Sequence, residues 1–242
     1  MSDSTERDEL DVSDLKPRKS LSPYTYKSPL PRAKATQIAL AIYLVVCLIH
    51  SAQNALQIGL IYLDELGSTT PLILWNINGH SLTYLYYGRL CLFWTTAVVF
   101  TIWLYRVAAN SICLNSREIP DTAAMSIIWY IIPIASLFKP YQNMKAINGV
   151  SSSHGKFSAA RLLPWWWALW IITGWGDFIF QYVWENAQTN KEIMNVSFFY
   201  EIVYVSDCAL TILAILIVRR ISIAQELHHD PAANPAILAP KF

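Results

Sequence analysis

Three ionisable side chains stand near the middle of strongly apolar stretches of the chain: His50, Asp177 and Asp207. A charge near the centre of a bilayer costs about 2.5 to 3.5 kcal/mol even on a lenient insertion scale, so each is a candidate for function. Each also belongs to a polar stripe. Trp166, Trp170, Thr173, Asp177, Gln181 and Trp184 step by three or four residues and share one helical face, and Tyr200, Tyr204, Asp207 and Thr211 do the same. His50, Asn54 and Gln57 make a third stripe, with Gln53 beside it. Two chemistries fit. One is a proton or cation path in which the two aspartates exchange protons with His50 through water. The other is helix glue, in which Asn, Gln, His and Asp side chains hold helices together by about 0.6 to 2 kcal/mol per hydrogen bond. The sequence leaves both open.

A second constellation stands where an apolar run ends. Trp103, Arg106 and Asn110 occupy positions i, i+3 and i+7, which puts an indole, a guanidinium and an amide on one helical face. Snorkelling and helix capping would account for them. The functional alternative is docking: Arg106 is expected to bond backbone carbonyls freed by Pro133 in the stretch 125–138. No GxSxG, HExxH, P-loop or GxGxxG pattern occurs, so no catalytic residue and no cofactor is indicated. Asp64 and Glu65 lack the further ligands that a cation site needs. Cys47, Cys91, Cys113 and Cys208 stand singly, which indicates neither zinc nor a disulfide framework, and buried thiols are expected. Asn195-Val196-Ser197 matches a glycosylation sequon, but it abuts an apolar run and reads as a chance match.

Placing these groups falls to apolar helices. Of 242 residues, 54% are hydrophobic and 14% charged, with a mean hydropathy of +0.32. A soluble domain is about one quarter charged, so a multi-pass membrane protein is expected. Lys and Arg total 18 against 17 Asp and Glu, and that balance gives no reason to expect nucleic acid as a partner. Residues 1–34 are polar, acidic first and then basic, and read as a disordered cytoplasmic tail whose basic half attracts anionic lipid. They contain no apolar h-region, so the first membrane helix is expected to do the targeting. The membrane domain is expected over 35–220, with spans near 35–62, 85–105, 162–184 and 196–218, and a cytoplasmic tail over 221–242. From Trp167 to Trp184 a helix rises roughly 25 Å, close to the hydrocarbon thickness that aromatic belts bracket.

The stretch 125–142, MSIIWYIIPIASLFKPYQ, fits no ordinary span. It is short of the ~20 residues that crossing needs, and Pro133 interrupts it. Basic residues flank it on both sides: sixteen of the eighteen Lys and Arg fall on the side assigned to the cytoplasm, and Arg89 and Lys191 do not. The fold expected is therefore an all-α integral membrane protein with four transmembrane helices, both termini cytoplasmic, and a proline-broken re-entrant or interfacial segment at 125–138.

Several of these pieces recur together. Trp103-Leu104-Tyr105-Arg106 with Asn110, Trp129 with Ile132-Pro133-Ile134-Ala135, Lys139-Pro140-Tyr141-Gln142, and Trp165-Trp166-Trp167 through Trp170 appear in that order. In this the chain resembles a bacterial membrane family catalogued as domain of unknown function 4328, over about residues 85–218. Ser136 stands where that family often has asparagine. The resemblance implies a multi-pass protein of the bacterial cytoplasmic membrane in which Arg106, Asn110, Pro133, Pro140 and Trp166 serve a shared site or fold, and it brings no established activity. The function expected is a non-enzymatic membrane module that senses or scaffolds through the face formed by Arg106, Asn110, Lys139, Pro140, Trp166 and Trp170. Its expected partners are the bilayer, with anionic lipid or a cytoplasmic protein. The alternative is a small proton- or cation-coupled transporter or channel using Asp177 and Asp207, against which counts the absence of an evident inverted repeat.

Overall fold

A computed structural model describes residues 23–230, apart from 68–71, 116, 117, 120, 153–156 and 188, and apart from the side chains at 72, 75, 177–182, 184 and 185. Every regular element among the described residues is helical. Among the described residues three helices are long and apolar enough to cross a membrane: α1 (Leu30–Glu65), α2 (Leu72–Leu114) and α6 (Asn190–His229). Between α2 and α6 lie α3 (Met125–Ile128), a 3₁₀ turn (Ala135–Leu137), α4 (Lys139–Ser151) and α5 (Leu163–Asn186). The helix α6 packs along both α1 and α5, and α1 also packs along α2.

The distribution of side chains on α1 is the reverse of that in a soluble helix. Ile38, Ile42, Val45, Leu48, Ile49 and Leu56 face outward, while Tyr43, Cys47, His50, Asn54 and Gln57 are buried. Water would drive the apolar face inward; a lipid surround lets it point outward and turns the polar groups toward one another. The large apolar core sits at one end of the bundle. There Trp103, Leu104, Met144, Ile147, Leu163, Trp166, Ile217 and Ile221 close-pack between α2, α4, α5 and α6.

Three boundaries differ from the sequence expectation. The helix α1 starts at Leu30, five residues before the expected span, because Pro29 takes the N-cap position and a second proline falls in the first turn, where a missing N–H costs nothing. No proline interrupts 72–88, and the expected loop is the first part of α2, with Asn78 hydrogen-bonded to Gln57. The helix α6 runs ten residues beyond Arg219 and no proline follows until 231. Ile221, Ser222, Ala224 and Gln225 on that extension are buried. Arg220 meanwhile donates to the Ser158 carbonyl at 3.1 Å, tying α6 to the α4–α5 connection.

The broken stretch is broken in the structure. The four residues of α3 give way to turns that contain Pro133, and α4 begins only at Lys139, with Pro140 buried in its first turn. Ser136 repairs part of the loss: its backbone N–H reaches the Ile132 carbonyl at 2.7 Å and its hydroxyl the Pro133 carbonyl at 2.6 Å.

The start of α6 is set by a capping box in which Thr189 accepts from the Glu192 N–H at 3.3 Å and Glu192 accepts from the Thr189 N–H at 3.0 Å. Thr189→Ala is expected to cost about 1 kcal/mol. Amide exchange should then quicken at Glu192 and Ile193 and nowhere in the second half of the helix.

Candidate functional site

Asp207 is held at the meeting of three helices. Its Oδ2 accepts from Arg89 Nη1 on α2 at 3.0 Å and from the Tyr43 hydroxyl on α1 at 2.7 Å, and Cys47 Sγ lies 3.6 Å away. The ion pair is nearly shut off from solvent. Desolvating two charges is repaid only when geometry and additional hydrogen bonds are good, and Tyr43 supplies one. The Tyr204 ring is shared: His50 stacks on it at 4.4 Å between centroids, and the Arg89 guanidinium carbon stands 5.3 Å from its centre. His50 is 2% exposed and its Nδ1 has no hydrogen-bond partner among the described residues.

One turn along, the polar run continues. Glu201 on α6 accepts from Ser51 at Oε1 and from Asn54 Nδ2 at 3.0 Å at Oε2. Asn54 also donates to the Ser197 carbonyl at 2.9 Å, and Gln53, Asn78 and Gln57 form a further chain of amides. Tyr43, Cys47, His50, Asn54 and Gln57 are spaced three and four apart, so α1 presents one buried polar face about 21 Å long. Asp177 and Gln181 lie on α5, but their side chains are outside the described residues. The expected proton path through Asp177, Asp207 and His50 therefore lies partly outside the described residues, and the cation that meets Asp207 is Arg89.

A second polar centre lies at the end of the bundle that holds the large apolar core, and Asn110 is its hub. Asn110 Oδ1 accepts from Arg106 Nε at 2.9 Å, from Arg106 Nη2 and from the Lys27 N–H at 3.2 Å; its Nδ2 donates to the Lys27 carbonyl at 2.9 Å and to Gln225 Oε1 at 3.1 Å. Arg106 Nη2 donates in addition to the Thr25 carbonyl at 2.6 Å. The expected contact between Arg106 and carbonyls near Pro133 is thus replaced by a contact with residues 24–28, which lie across the ends of α2 and α6. The reason is local: Ile132 and Pro133 carbonyls find donors on Ser136, whereas extended residues 25 and 27 have no helix to satisfy theirs.

The far side of this strap is fixed by Glu226, which accepts from the Tyr26 hydroxyl at 3.1 Å and from Ser28 Oγ at 2.9 Å, while the Tyr26 ring stacks on His229 at 3.8 Å. Burial, and after it the Glu226 carboxylate, hold the Tyr26 hydroxyl well above the ordinary phenol range, so it remains a neutral donor. Beneath the strap, Trp103 Nε1 donates to Ser222 at 2.9 Å, and the Gln225 amide bonds the Val107 carbonyl, Ser111 and Ser151. His228 Nδ1, 2.9 Å from the Val150 carbonyl, adds a tie to α4.

The broken stretch forms a ridge near this end. Trp129 donates to Asp121 at 2.9 Å and carries the Lys139 ammonium over its ring at 5.2 Å. Tyr130 meets Trp170 edge-on at 6.1 Å, and Trp170 stacks on buried Trp166 at 6.5 Å. Ile131 and Ile134 are 75% and 78% exposed, and Phe138 is exposed beside them. The Tyr130 hydroxyl and both side-chain polar atoms of Asn143 are buried and without a partner among the described residues.

Among the described residues no three His, Cys, Asp or Glu side chains are grouped to hold a metal. A family model described as a domain of unknown function, DUF4328, matches residues 82–223. The chain belongs to the DUF4328 family. No curated protein and no solved structure matches it.

The DUF4328 region divides both centres. It contains Arg89 and Asp207, so the ion pair closes within it, while Tyr43, Cys47 and His50 come from a helix ahead of it. It contains Trp103, Arg106 and Asn110, while the strap and Gln225, Glu226 and His229 lie beyond it. Reading by sequence alone passed over Arg89, Tyr43, Cys47, Gln225 and the strap. Arg89 had a usable signal, a lone basic residue in an apolar helix, and Tyr43 and Cys47 extend the His50 stripe by the same spacing. Gln225 sits past two arginines that look like a helix end, and the strap has no periodicity to read.

Proposed function

We propose that the chain is a non-enzymatic membrane module with four spans, α5 being the third, and that its broken stretch lies on the cytoplasmic surface of a bacterial inner membrane and binds anionic lipid headgroups. At 24 residues, or roughly 36 Å, α5 has the length for a span. The observation that carries the reading is the ridge: Ile131, Ile134 and Phe138 project beside an ammonium that rides on an indole. Apolar side chains in the acyl boundary, tryptophan at headgroup level and lysine on phosphate are how an interfacial segment is held. Exposed Lys145 and Arg161 extend the positive side. Transport through Asp207 draws less support, because Arg89 and Tyr43 already engage its carboxylate.

The test is retention of lipid by the purified full chain in detergent, measured by native mass spectrometry with phosphatidylglycerol against phosphatidylcholine. Each basic residue near a membrane surface is worth about 1 kcal/mol, so Lys139→Gln with Lys145→Gln should weaken phosphatidylglycerol binding by at least tenfold and leave phosphatidylcholine unchanged. If the double variant keeps its anionic lipid, the ridge docks a protein partner or nothing, and the lipid reading falls.

A further inference from the structure

The strap fixes where the first part of the chain joins the bundle. Tyr24 packs on the large apolar core, as Tyr130 of the broken stretch and Tyr141 of α4 also do, and it meets Tyr105 edge-on at 6.5 Å. Exposed Pro23 precedes it, so residues 1–22, which lie outside the described residues, are attached at the end that carries the ridge. The path from strap to α4 is short. Lys27 bonds Asn110, Asn110 bonds Gln225, and Gln225 bonds Ser151, which is six residues or about 9 Å along α4 from Lys145. Asp14 stands ten residues ahead of Tyr24, a chain length of up to roughly 33 Å, and Asp3 has up to roughly 70 Å. Both lengths reach α4.

Charge says what that length of chain meets there. Residues 1–15 hold six acids, Asp3, Glu6, Asp8, Glu9, Asp11 and Asp14, against one base, Arg7, and set Leu10, Val12 and Leu15 among them. The ridge is the complement: exposed Ile131, Ile134 and Phe138 stand beside Lys139, with exposed Lys145 and Arg161 further on. Among the described residues none of these three cations has a carboxylate within ion-pair distance, and the Lys139 ammonium rests on the Trp129 ring. Six carboxylates are repelled by an anionic leaflet and drawn to cations that lack a counterion. We propose that the acidic segment 3–14 docks on the ridge of its own chain, its carboxylates facing Lys139 and Lys145, and competes there with the phosphate of an anionic lipid. The ridge is then covered where the leaflet is poor in anionic lipid and released where it is rich. The competition rests on the lipid-headgroup reading of the ridge; the docking does not.

The experiment is zero-length cross-linking of the full chain in nanodiscs, in which a carbodiimide joins a carboxyl to a lysine Nζ as an amide and peptide mass spectrometry locates the bond. In phosphatidylcholine, carboxyls of segment 3–14 are expected on Lys139 or Lys145, within one chain when isotope-labelled and unlabelled copies are mixed. In phosphatidylglycerol the yield is expected to fall several-fold. With Asp8→Asn, Glu9→Gln, Asp11→Asn and Asp14→Asn combined, phosphatidylglycerol should be held about tenfold more tightly, the factor by which a cover present about nine-tenths of the time lowers apparent affinity. Cross-links to Lys16, Lys19 or Lys27 alone, or none at all, overturn the docking. Links found only between labelled and unlabelled chains overturn it in favour of a second copy's segment. Equal yields in the two lipids, or an unchanged phosphatidylglycerol affinity in the neutralised variant, overturn the competition. Failure of the lipid reading shows separately, as phosphatidylglycerol retention that ignores Lys139→Gln with Lys145→Gln, and cross-links to the native lysines then still establish the docking.

Discussion

Arg89→Gln is expected to destabilise the purified protein by about 3 to 5 kcal/mol, the usual cost of removing one partner of a buried ion pair and leaving the other charged. The residue left behind is Asp207, which keeps the Tyr43 hydroxyl and the Cys47 thiol as donors. A thiol is a weak donor and one phenol does not replace a guanidinium. Asp207→Asn should cost a similar amount by removing the carboxylate that the buried Arg89 guanidinium faces. The double variant should recover most of both losses, because two neutral amides can pair across the same gap, giving a coupling energy of about 2 kcal/mol or more. Titration with dodecyl sulfate followed by circular dichroism measures all three. Tyr43→Phe removes one hydrogen bond and should cost only about 1 kcal/mol. Single variants within about 0.5 kcal/mol of wild type would mean that the pair contributes nothing to the fold.

The ion pair also marks where reading the sequence succeeds and where it stops. Asp207 was conspicuous because a carboxylate among Val, Leu and Ile has no cheap explanation, and the spacing of Tyr200, Tyr204 and Thr211 placed it on an inward face. Its partner was harder to see. Which of several polar stripes face one another depends on helix rotation and vertical offset, and neither leaves a trace in a single sequence. The sequence counts Arg89 only as one of two basic residues off the cytoplasmic side, at the start of the second expected span, while the structure shows it among buried groups. A positive charge in an apolar helix has two uses, orienting the helix and neutralising a partner, and hydropathy cannot separate them.

Helix ends show the same limit. The end of α6 at Arg219-Arg220 was a reasonable inference from where lipid stops, but a helix continues as long as its backbone is satisfied and its faces are buried. Gln225 and Ser222 satisfy that condition by bonding α2 and α4, contacts made in a watery or protein surround that hydropathy does not describe. The broken stretch was readable for the opposite reason. A proline inside an apolar run has a fixed backbone consequence whatever surrounds it, and the structure shows turns at 129–134. Trp103, Arg106 and Asn110 were correctly placed on one face, since that follows from spacing; what they hold did not follow, since the strap lies eighty residues away in sequence.

Asn110→Ala should free that strap. The substitution leaves the Lys27 N–H, the Lys27 carbonyl, Gln225 Oε1 and part of the Arg106 guanidinium without their partner at once. A buried group so stranded costs about 1 to 3 kcal/mol, and the strap can escape part of that cost by lifting away, because its residues are only partly buried. Local opening made easier by about 1.4 kcal/mol raises the open population tenfold. Trypsin reads this directly. Cleavage after Lys27 requires residues 25–28 to leave Asn110, Arg106 and Glu226, and when opening is fast the rate follows the open population. The expected result is cleavage at least tenfold faster in Asn110→Ala than in wild type, with the helical signal of the remainder retained. Glu226→Gln keeps an acceptor for Tyr26 and Ser28 and should accelerate cleavage much less. Were Asn110→Ala to lower global stability with cleavage after Lys27 unchanged, the strap would be held by Glu226 and His229 alone, and Asn110 would act between α2 and α6 through Gln225 instead.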